Sequence, residues 1–340
     1  MLVWINGRIV PAESATVSIL DRGFLFGDGV YELVRYFNGV GVQVTDHIAR
    51  LERSLRESAI VGFQGAQLAT IGDELMRASG FRDGSVYLQV TRGTAATRQH
   101  IPPAKMTPTV VAFATALPSL RDFDRPEPVR AALVADPRWR RCDIKTISLM
   151  GNILALLAAQ SSSGPPADEA ILHRDGVVGE GTSTNVFAVV RGADGGEALV
   201  TPPLDSDPPI LHGVTRLLAF AASDDLGLRV EQRRLAVDEL LGAREVMVTS
   251  SRRIVAPVTH IDHRPVGDGG PGRTCLALFA AARRRLAREC GVALSDGSTG
   301  EESSDRAVRH ANPRAGGDTP TAGSRVAAAP AAGAAGASRP

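Results

Sequence analysis

Short segments in which apolar and polar residues alternate are frequent in the first part of the chain, and this pattern predicts strands. Segments 3–5 and 8–10 flank Asn6 and Gly7, a dipeptide typical of a two-residue hairpin turn. The same pattern, enriched in valine and aromatic residues, predicts further strands at 30–37, 40–44, 85–91 and 110–116.

Apolar residues recur at helical spacing between some of these strands. Ile48, Leu51 and Leu55 lie three and four residues apart, which predicts one helix face. Asp46 precedes them and is the predicted N-cap. A second helix is predicted at 67–78, so this part of the chain is predicted to combine strands and helices.

Segment 21–29 is rich in glycine and connects two predicted strands. It lacks the GxGxxG spacing of a phosphate-binding loop, and no helix is predicted after it. A tight connection without regular structure is therefore the favoured interpretation.

The second half alternates predicted helices and strands. Segment 118–128 has the composition of a linker, so residues 1–120 are predicted to form one domain and residues 121–294 another. Residues 295–340 contain no aromatic residue and are predicted to be disordered, because they cannot bury enough apolar area to offset the entropy of ordering. Strands are predicted at 129–134, 169–172, 177–190, 228–232 and 245–253. Helices are predicted at 150–160, 237–241 and 274–290, and another begins at 213–215 and continues through the apolar residues of 217–221.

Composition limits the classes of function. The 340 residues are 44% hydrophobic with a formal net charge of +1, which is typical of a soluble globular protein and disfavours nucleic acid or membrane partners. The dispersed Cys142, Cys275 and Cys290 argue against a disulfide framework or a metal cluster. With neither a signal-peptide pattern nor an apolar segment of membrane length, the expected location is the cytoplasm.

Lysine is rare in this chain: of its 38 lysines and arginines, only Lys105 and Lys145 are lysines. Only a lysine amine can lose its proton and attack a carbonyl carbon. Lys145 precedes the predicted helix at 150–160 and is therefore a candidate for Schiff-base chemistry. The alternative is an ordinary lysine, as is expected of Lys105 in its proline-rich loop.

Two further segments offer polar groups to a ligand. Glu180 precedes three hydroxyl residues and an amide at 182–185, and a carboxylate there can hold a cationic ring nitrogen. Gly213 and Thr215 open a predicted helix, whose free N–H groups can bind an anion. A polar bend and an ordinary helix start are the alternatives. An amine, an anion site and a carboxylate together predict pyridoxal 5'-phosphate as the cofactor.

Five segments, in this order along the chain, carry a resemblance to a known family: Asp21 to Glu32, Asp46 to Leu51, Arg138 to Lys145, Glu180 to Phe187 and Leu211 to Arg216. With them the sequence resembles the fold-type IV (class IV) pyridoxal-phosphate aminotransferases, and within these the D-amino acid aminotransferases of bacteria. The resemblance implies an α/β (α+β) two-domain fold, with a smaller N-terminal α/β domain and a larger C-terminal domain built on a mixed, barrel-like sheet. It also implies a homodimer with the active site at the interface.

The resemblance also implies a role for each cofactor-binding residue. Lys145 would be the Schiff-base lysine, Glu180 would hold the pyridine nitrogen, and Leu211 would pack on the ring. The implied phosphate ligands are Arg50, Val214, Thr215 and Ser251.

For the substrate, the resemblance implies that Tyr31, Arg98 and His100 grip the α-carboxylate, the last two reaching over from the partner subunit. The chain departs from the family at Arg252 and Arg253, where hydroxyl residues are usual. These arginines would either add a phosphate contact or point to solvent.

The implied reaction is transamination between a D-amino acid of the D-alanine type and a 2-oxo acid such as 2-oxoglutarate, through a Lys145 aldimine and a 1,3-proton transfer. A branched-chain L-amino acid aminotransferase, an R-selective amine transaminase or an aminodeoxychorismate lyase would use the same lysine and cofactor. Tyr31, Arg98 and His100 favour D-amino acids over these. Outside enzymology, the alternative is a protein that binds the cofactor without turnover, against which the presence of both Lys145 and Glu180 argues.

Overall fold

The computed structural model describes residues 1–161, 165–192, 195–207 and 209–294. Contacts between Cα atoms group Met1–Ser295 into one compact unit. The boundary predicted between residues 120 and 121 therefore stays a prediction, and the predicted tail from 295 to 340 lies outside the described residues. No helix of the described part is both long and apolar enough to cross a bilayer.

The first sheet has six strands, and each neighbouring pair in it is antiparallel. Its strands are β1 Leu2–Ile5, β2 Arg8–Pro11, β3 Gly29–Phe37, β4 Val40–Gly41, β5 Gly84–Thr91 and β6 Thr109–Ala116, in the order β2-β1-β6-β5-β3-β4. Two helices, α2 Val44–Glu57 and α3 Gln67–Ala78, pack on this sheet. Their apolar faces meet Val34 and Leu88 in a buried core, as the helical spacing predicts.

Two local predictions in this part are wrong. Segment 21–29 contains a short helix, α1 Arg22–Phe26, because the Asp21 side chain accepts the Gly23 N–H and caps it. Asp46 lies inside α2, whose N-cap is Gln43. The Gln43 N–H donates to Glu289 at 2.7 Å, so a distant residue binds the backbone where the helix begins.

The second sheet has nine strands and is mixed, because β7 pairs in parallel with two neighbours while most other pairs are antiparallel. Its two ends approach each other: the Val178 N–H donates to the Leu235 carbonyl at 2.9 Å. The sheet is thus barrel-like, as expected. The strands are β7 Val129–Ala135, β8 Glu169–Arg174, β9 Val177–Gly181, β10 Asn185–Arg191, β11 Glu197–Thr201, β12 Val230–Gln232, β13 Glu245–Ser250, β14 Ile254–Ile261 and β15 Arg264–Pro265.

Four further helices accompany this sheet: α4 Met150–Gln160, α5 Val214–Asp225, α6 Val237–Leu241 and α7 Arg273–Glu289. Along β10, Val186 faces one buried cluster inside the curled sheet, while Phe187 faces another with Phe279 of α7. The strand is therefore buried on both faces. A strand of this kind is a continuous apolar run and lacks the alternation of apolar and polar residues that marks a strand with one exposed face.

Strands β11 and β14 are absent from the sequence prediction. Pro257 interrupts the apolar run of β14, and a proline argues against a central strand. In the structure it lies opposite Met247 of β13 within the ladder.

Lys145 lies where the two sheets meet. The Tyr31 N–H of β3 donates to the Lys145 carbonyl at 3.0 Å, and Thr146 forms an isolated bridge with Val30. The chain that runs from β7 to α4 is thus fastened to the first sheet at the lysine.

Candidate active site

A cavity of about 670 Å³ opens between the two sheets. Eight of the ten predicted site residues line it: Tyr31, Arg50, Lys145, Glu180, Leu211, Val214, Thr215 and Ser251. Arg98 and His100 do not line it within this chain. Such a volume is typical of a small-molecule or cofactor site.

The Lys145 amine lies over the ring of Tyr31, with Nζ 4.3 Å from the ring centroid. Tyr31 in turn stacks on Tyr87, with ring centroids 5.4 Å apart. The Lys145 N–H donates to the Ser54 hydroxyl at 3.3 Å, which fixes the backbone from a second side. The amine is therefore held at one place on the cavity wall.

Arg50 belongs to a buried network with Glu32 and His47. Its Nε and Nη2 donate to the two carboxylate oxygens of Glu32 at 2.7 and 2.6 Å, and His47 Nδ1 lies 2.7 Å from the same carboxylate. Burial alone would raise the pKa of Glu32, but Arg50 and His47 hold this pKa well below its ordinary value. Glu32 thus stays ionised and fixes the guanidinium in one orientation.

The remaining nitrogen of the Arg50 guanidinium contacts the backbone at the start of α5. Nη1 donates to the His212 carbonyl at 3.0 Å, directly before Gly213, the N-cap of that helix. Among the described residues no side chain caps the first N–H groups of α5, so these groups can bind an anion. A Cβ atom at Gly213 would collide with the Asn185 amide oxygen, which explains the glycine.

Glu180 is a buried carboxylate that also lines the cavity. Arg138 Nη1 donates to it at 2.8 Å and the Leu211 N–H at 3.0 Å, and the Asn185 amide lies 3.4 Å away. Burial raises the pKa of Glu180 above its ordinary value, although Arg138, the Leu211 N–H and Lys145 act in the opposite direction. A further cationic partner in the cavity would favour its ionised form.

Hydroxyl groups complete the lining. The carboxylate of Glu169 accepts the Thr182 N–H at 2.9 Å and the Thr184 hydroxyl at 3.0 Å, and so fixes the loop after Glu180. The buried Thr249 hydroxyl, also in the lining, has no hydrogen-bond partner among the described residues. A buried hydroxyl without a hydrogen-bond partner indicates that a polar ligand binds in the cavity.

Arg98 and His100 lie together on an exposed loop of the first sheet. The Phe26 ring joins them, 5.0 Å from the Arg98 guanidinium and 5.6 Å from the His100 ring. Their predicted contact with a substrate therefore requires a second chain.

Several residues that build the site are absent from the sequence prediction: Glu32, His47, Arg138 and Glu169. For Glu32 the sequence does contain a signal, because it shares a strand face with the buried Val30 and Val34. A charged residue on a buried face needs a partner. Arg138 and Glu169 carry no such signal, since only folding brings them beside Glu180 and the hydroxyl loop.

Together these features define a pyridoxal-phosphate-dependent aminotransferase of fold-type IV. The family model described as amino-transferase class IV matches residues 29–261, and the chain belongs to this family. The predicted family, fold class and cofactor are thereby confirmed. The donor set fits the cofactor: it combines an amine, an anion site at the start of α5 and a buried carboxylate.

Among individual proteins, the chain is 40% identical to the D-alanine aminotransferase of Bacillus licheniformis over 273 residues, 80% of this chain and 92% of that protein. It is 37% identical to the D-alanine aminotransferase of Staphylococcus haemolyticus, over 79% of this chain and 92% of that one. Among solved structures, the branched-chain aminotransferase of Thermoproteus uzoniensis with norvaline superimposes with a TM-score of 0.72 at 27% identity, covering 86% of this chain and 95% of that chain.

Proposed function

We propose that the protein transfers the amino group of a D-amino acid of the D-alanine type to a 2-oxo acid such as 2-oxoglutarate. The observation that carries this proposal is the 40% identity to a D-alanine aminotransferase, because it spans 92% of that protein. The cavity supports it, because the Lys145 amine, Tyr31 and Glu180 all line it.

Lys145 and Glu180 have different roles in the proposed reaction. The cofactor, when bound, supplies a carbonyl carbon for the exchange of amines and a ring that accepts electrons from Cα. With the cofactor in place, the Lys145 amine would act as the base and acid that moves the proton at the substrate Cα. Glu180, held by Arg138 and the Leu211 N–H, keeps the ring nitrogen protonated.

Anion binding is assigned to a second set of groups. Arg50, the first N–H groups of α5, the Thr215 hydroxyl and Ser251 would hold the phosphate of the bound cofactor. Leu211 would pack on its ring. Because Glu32 orients Arg50 and Arg50 binds the carbonyl before Gly213, one network fixes two of these phosphate ligands.

The working form is a homodimer. Helix α4 buries only two alanines and leaves Met150, Ile153, Leu154 and Leu157 51 to 66% exposed along one face. We infer that a second copy of the chain covers this face and that each Arg98 and His100 loop serves the partner's cavity. The substrate carboxylate would then be gripped by Tyr31 of one chain and by Arg98 and His100 of the other.

Replacing Arg98 with methionine tests this assignment. We expect KM for D-alanine to rise about tenfold or more with a smaller change in kcat, because a charge-assisted hydrogen bond to the carboxylate is lost. Steady-state kinetics with D-alanine and 2-oxoglutarate provide the measurement. An unchanged KM would contradict the role of Arg98.

A mixing experiment provides the control for the dimer. Chains with Arg98→Met and chains with Lys145→Ala are co-refolded, so that a hybrid dimer contains one site with both Lys145 and Arg98. With D-alanine well below the raised KM, where Arg98→Met homodimers contribute little, recovery toward about a quarter of the wild-type activity is expected if Arg98 serves the partner's site. Absence of recovery, with hybrid dimers present, would place Arg98 outside that site.

Arg252 supports a dicarboxylate acceptor. It lines the cavity and, among the described residues, its guanidinium has no hydrogen-bond or ion-pair partner. Its neighbour Arg253 lies 3.6 Å from Glu127. We expect Arg252→Thr to raise KM for 2-oxoglutarate about fivefold or more relative to pyruvate, because the distal carboxylate loses its cation.

The matched control for this variant is Arg8→Thr. It removes an exposed arginine that does not line the cavity. The acceptor preference should not change in this control. An equal rise in KM for both acceptors, or weaker cofactor binding in Arg252→Thr, would assign Arg252 to the phosphate instead.

A branched-chain L-amino acid aminotransferase is the second candidate, favoured by the structural similarity to the Thermoproteus uzoniensis enzyme. A coupled assay of the purified protein with D-alanine and with L-leucine separates the two. Activity with L-leucine alone would overturn the D-amino acid proposal.

A further inference from the structure

Arg22 is a buried arginine that lies outside the cavity and beside the loop of Arg98 and His100. Only 5% of it is exposed. Its Nη1 donates to the Gln99 carbonyl at 2.7 Å and its Nη2 to the His100 carbonyl at 2.9 Å. One side chain thus binds two consecutive peptide groups of the loop.

The carboxylate of Asp28 fixes the orientation of the Arg22 guanidinium. Its Nε donates to Asp28 at 2.7 Å, and Arg92 donates to both oxygens of the same carboxylate at 2.8 and 2.9 Å. Burial would raise the pKa of Asp28, but Arg92 and Arg22 hold it below its ordinary value. The carboxylate therefore stays ionised, and Arg22 keeps a single orientation.

The loop has few other constraints. Residues 95–100 form neither helix nor strand, and residues 96–100 are exposed. The ring of Phe26 lies 4.8 Å from the Arg22 guanidinium and 5.0 Å from that of Arg98. A surface loop of this kind takes its conformation from a small number of hydrogen bonds, and two of these come from Arg22.

We propose that Arg22 is a positioning residue for substrate binding: it fixes the Gln99 and His100 peptide groups, and so sets where Arg98 and His100 meet the substrate carboxylate. This inference rests on the proposed function, since it assumes that these two side chains bind that carboxylate. Arg22 itself touches neither the substrate nor the cofactor. A planar guanidinium suits the task because it can reach two carbonyls and one carboxylate together.

The test compares Arg22→Lys with Arg92→Lys. Both arginines bind Asp28, but only Arg22 binds the loop carbonyls; Arg92 donates to the Ala59 and Ser58 carbonyls instead. In Arg22→Lys we expect KM for D-alanine to rise about tenfold with kcat lowered less than about threefold. In Arg92→Lys, KM for D-alanine should change less than about twofold.

A substrate without a carboxylate separates positioning from general damage to the fold. The rate of the first half-reaction with a simple primary amine, followed by the cofactor absorbance, should be nearly equal in wild type and Arg22→Lys. If Arg22→Lys fails to fold, as judged by its thermal unfolding, Asp28→Asn removes the anchor of Arg22 and should show the same selective rise in KM. An equal rise in KM in Arg92→Lys, or an equal loss with the primary amine, would overturn the proposal.

Failure of this inference differs from failure of the proposed function. If Arg98→Met raises KM for D-alanine while Arg22→Lys does not, Arg22 has no positioning role and the proposed function stands. If wild type does not use D-alanine, or Arg98→Met leaves KM unchanged, the assigned substrate site is wrong whatever Arg22 does.

Discussion

Lys145→Ala is expected to lose transamination of D-alanine, with kcat lowered by at least about 10³-fold. Among the described residues that line the cavity, Lys145 has the only side-chain amine, and the neighbouring cations are arginines. An arginine does not give up its proton near neutral pH and cannot replace the amine in proton transfer. A coupled assay with 2-oxoglutarate measures the loss.

The chain provides a matched control in its second lysine. Lys105 is exposed in a proline-rich loop outside the cavity lining, so Lys105→Ala should retain wild-type kcat and KM. Thermal unfolding of both variants separates loss of chemistry from loss of fold. Ordinary turnover by Lys145→Ala would exclude the mechanism proposed for this site.

Glu32→Gln is expected to lower the free energy of unfolding by about 3–5 kcal/mol. The substitution keeps the shape of the side chain but removes its charge, and the buried Arg50 guanidinium is left without its counter-ion. Arg50 would also lose its fixed orientation toward the phosphate site, so cofactor affinity should fall. Chemical denaturation and cofactor titration measure the two effects.

The comparison variant is Glu239→Gln. Glu239 binds Arg233 through both oxygens at 2.9 and 2.6 Å, as Glu32 binds Arg50, but that pair is partly exposed. Its loss should cost less than about 1 kcal/mol, because solvent screens it. Equal costs for the two variants would show that burial of the Glu32 network contributes nothing to stability.

The Glu32 contribution also has a definite pH dependence. The pKa of Glu32 in the folded protein lies below its ordinary value of 4.5, so its stabilising effect is fully present above that pH. The effect is lost as the pH falls toward the folded-state pKa, where the carboxylate takes up a proton. The difference in unfolding free energy between wild type and Glu32→Gln should therefore be full at neutral pH and shrink in acid.

The accuracy with which the sequence predicts helix bounds differs from one helix to another. Helices α3 and α4 begin and end where the pattern predicts, because their apolar spacing and flanking residues act locally. The helix at 22–26 was missed since its cap depends on one Asp21 contact, and the start of α2 was misplaced since Gln43 is bound by Glu289 of the last helix.

The sequence by itself determined the cofactor, because the lysine, the glutamate and the glycine-led helix carry chemistry that their residue types fix. It determined the family through five segments that resemble it in order along the chain. Only the tertiary structure decided which partners hold them. Glu32 lies 18 residues from Arg50, Arg138 lies 42 from Glu180, and Arg22 lies 77 from Gln99. Charges that are buried must be paired, but the choice of partner depends on how the two sheets meet, which no local pattern encodes.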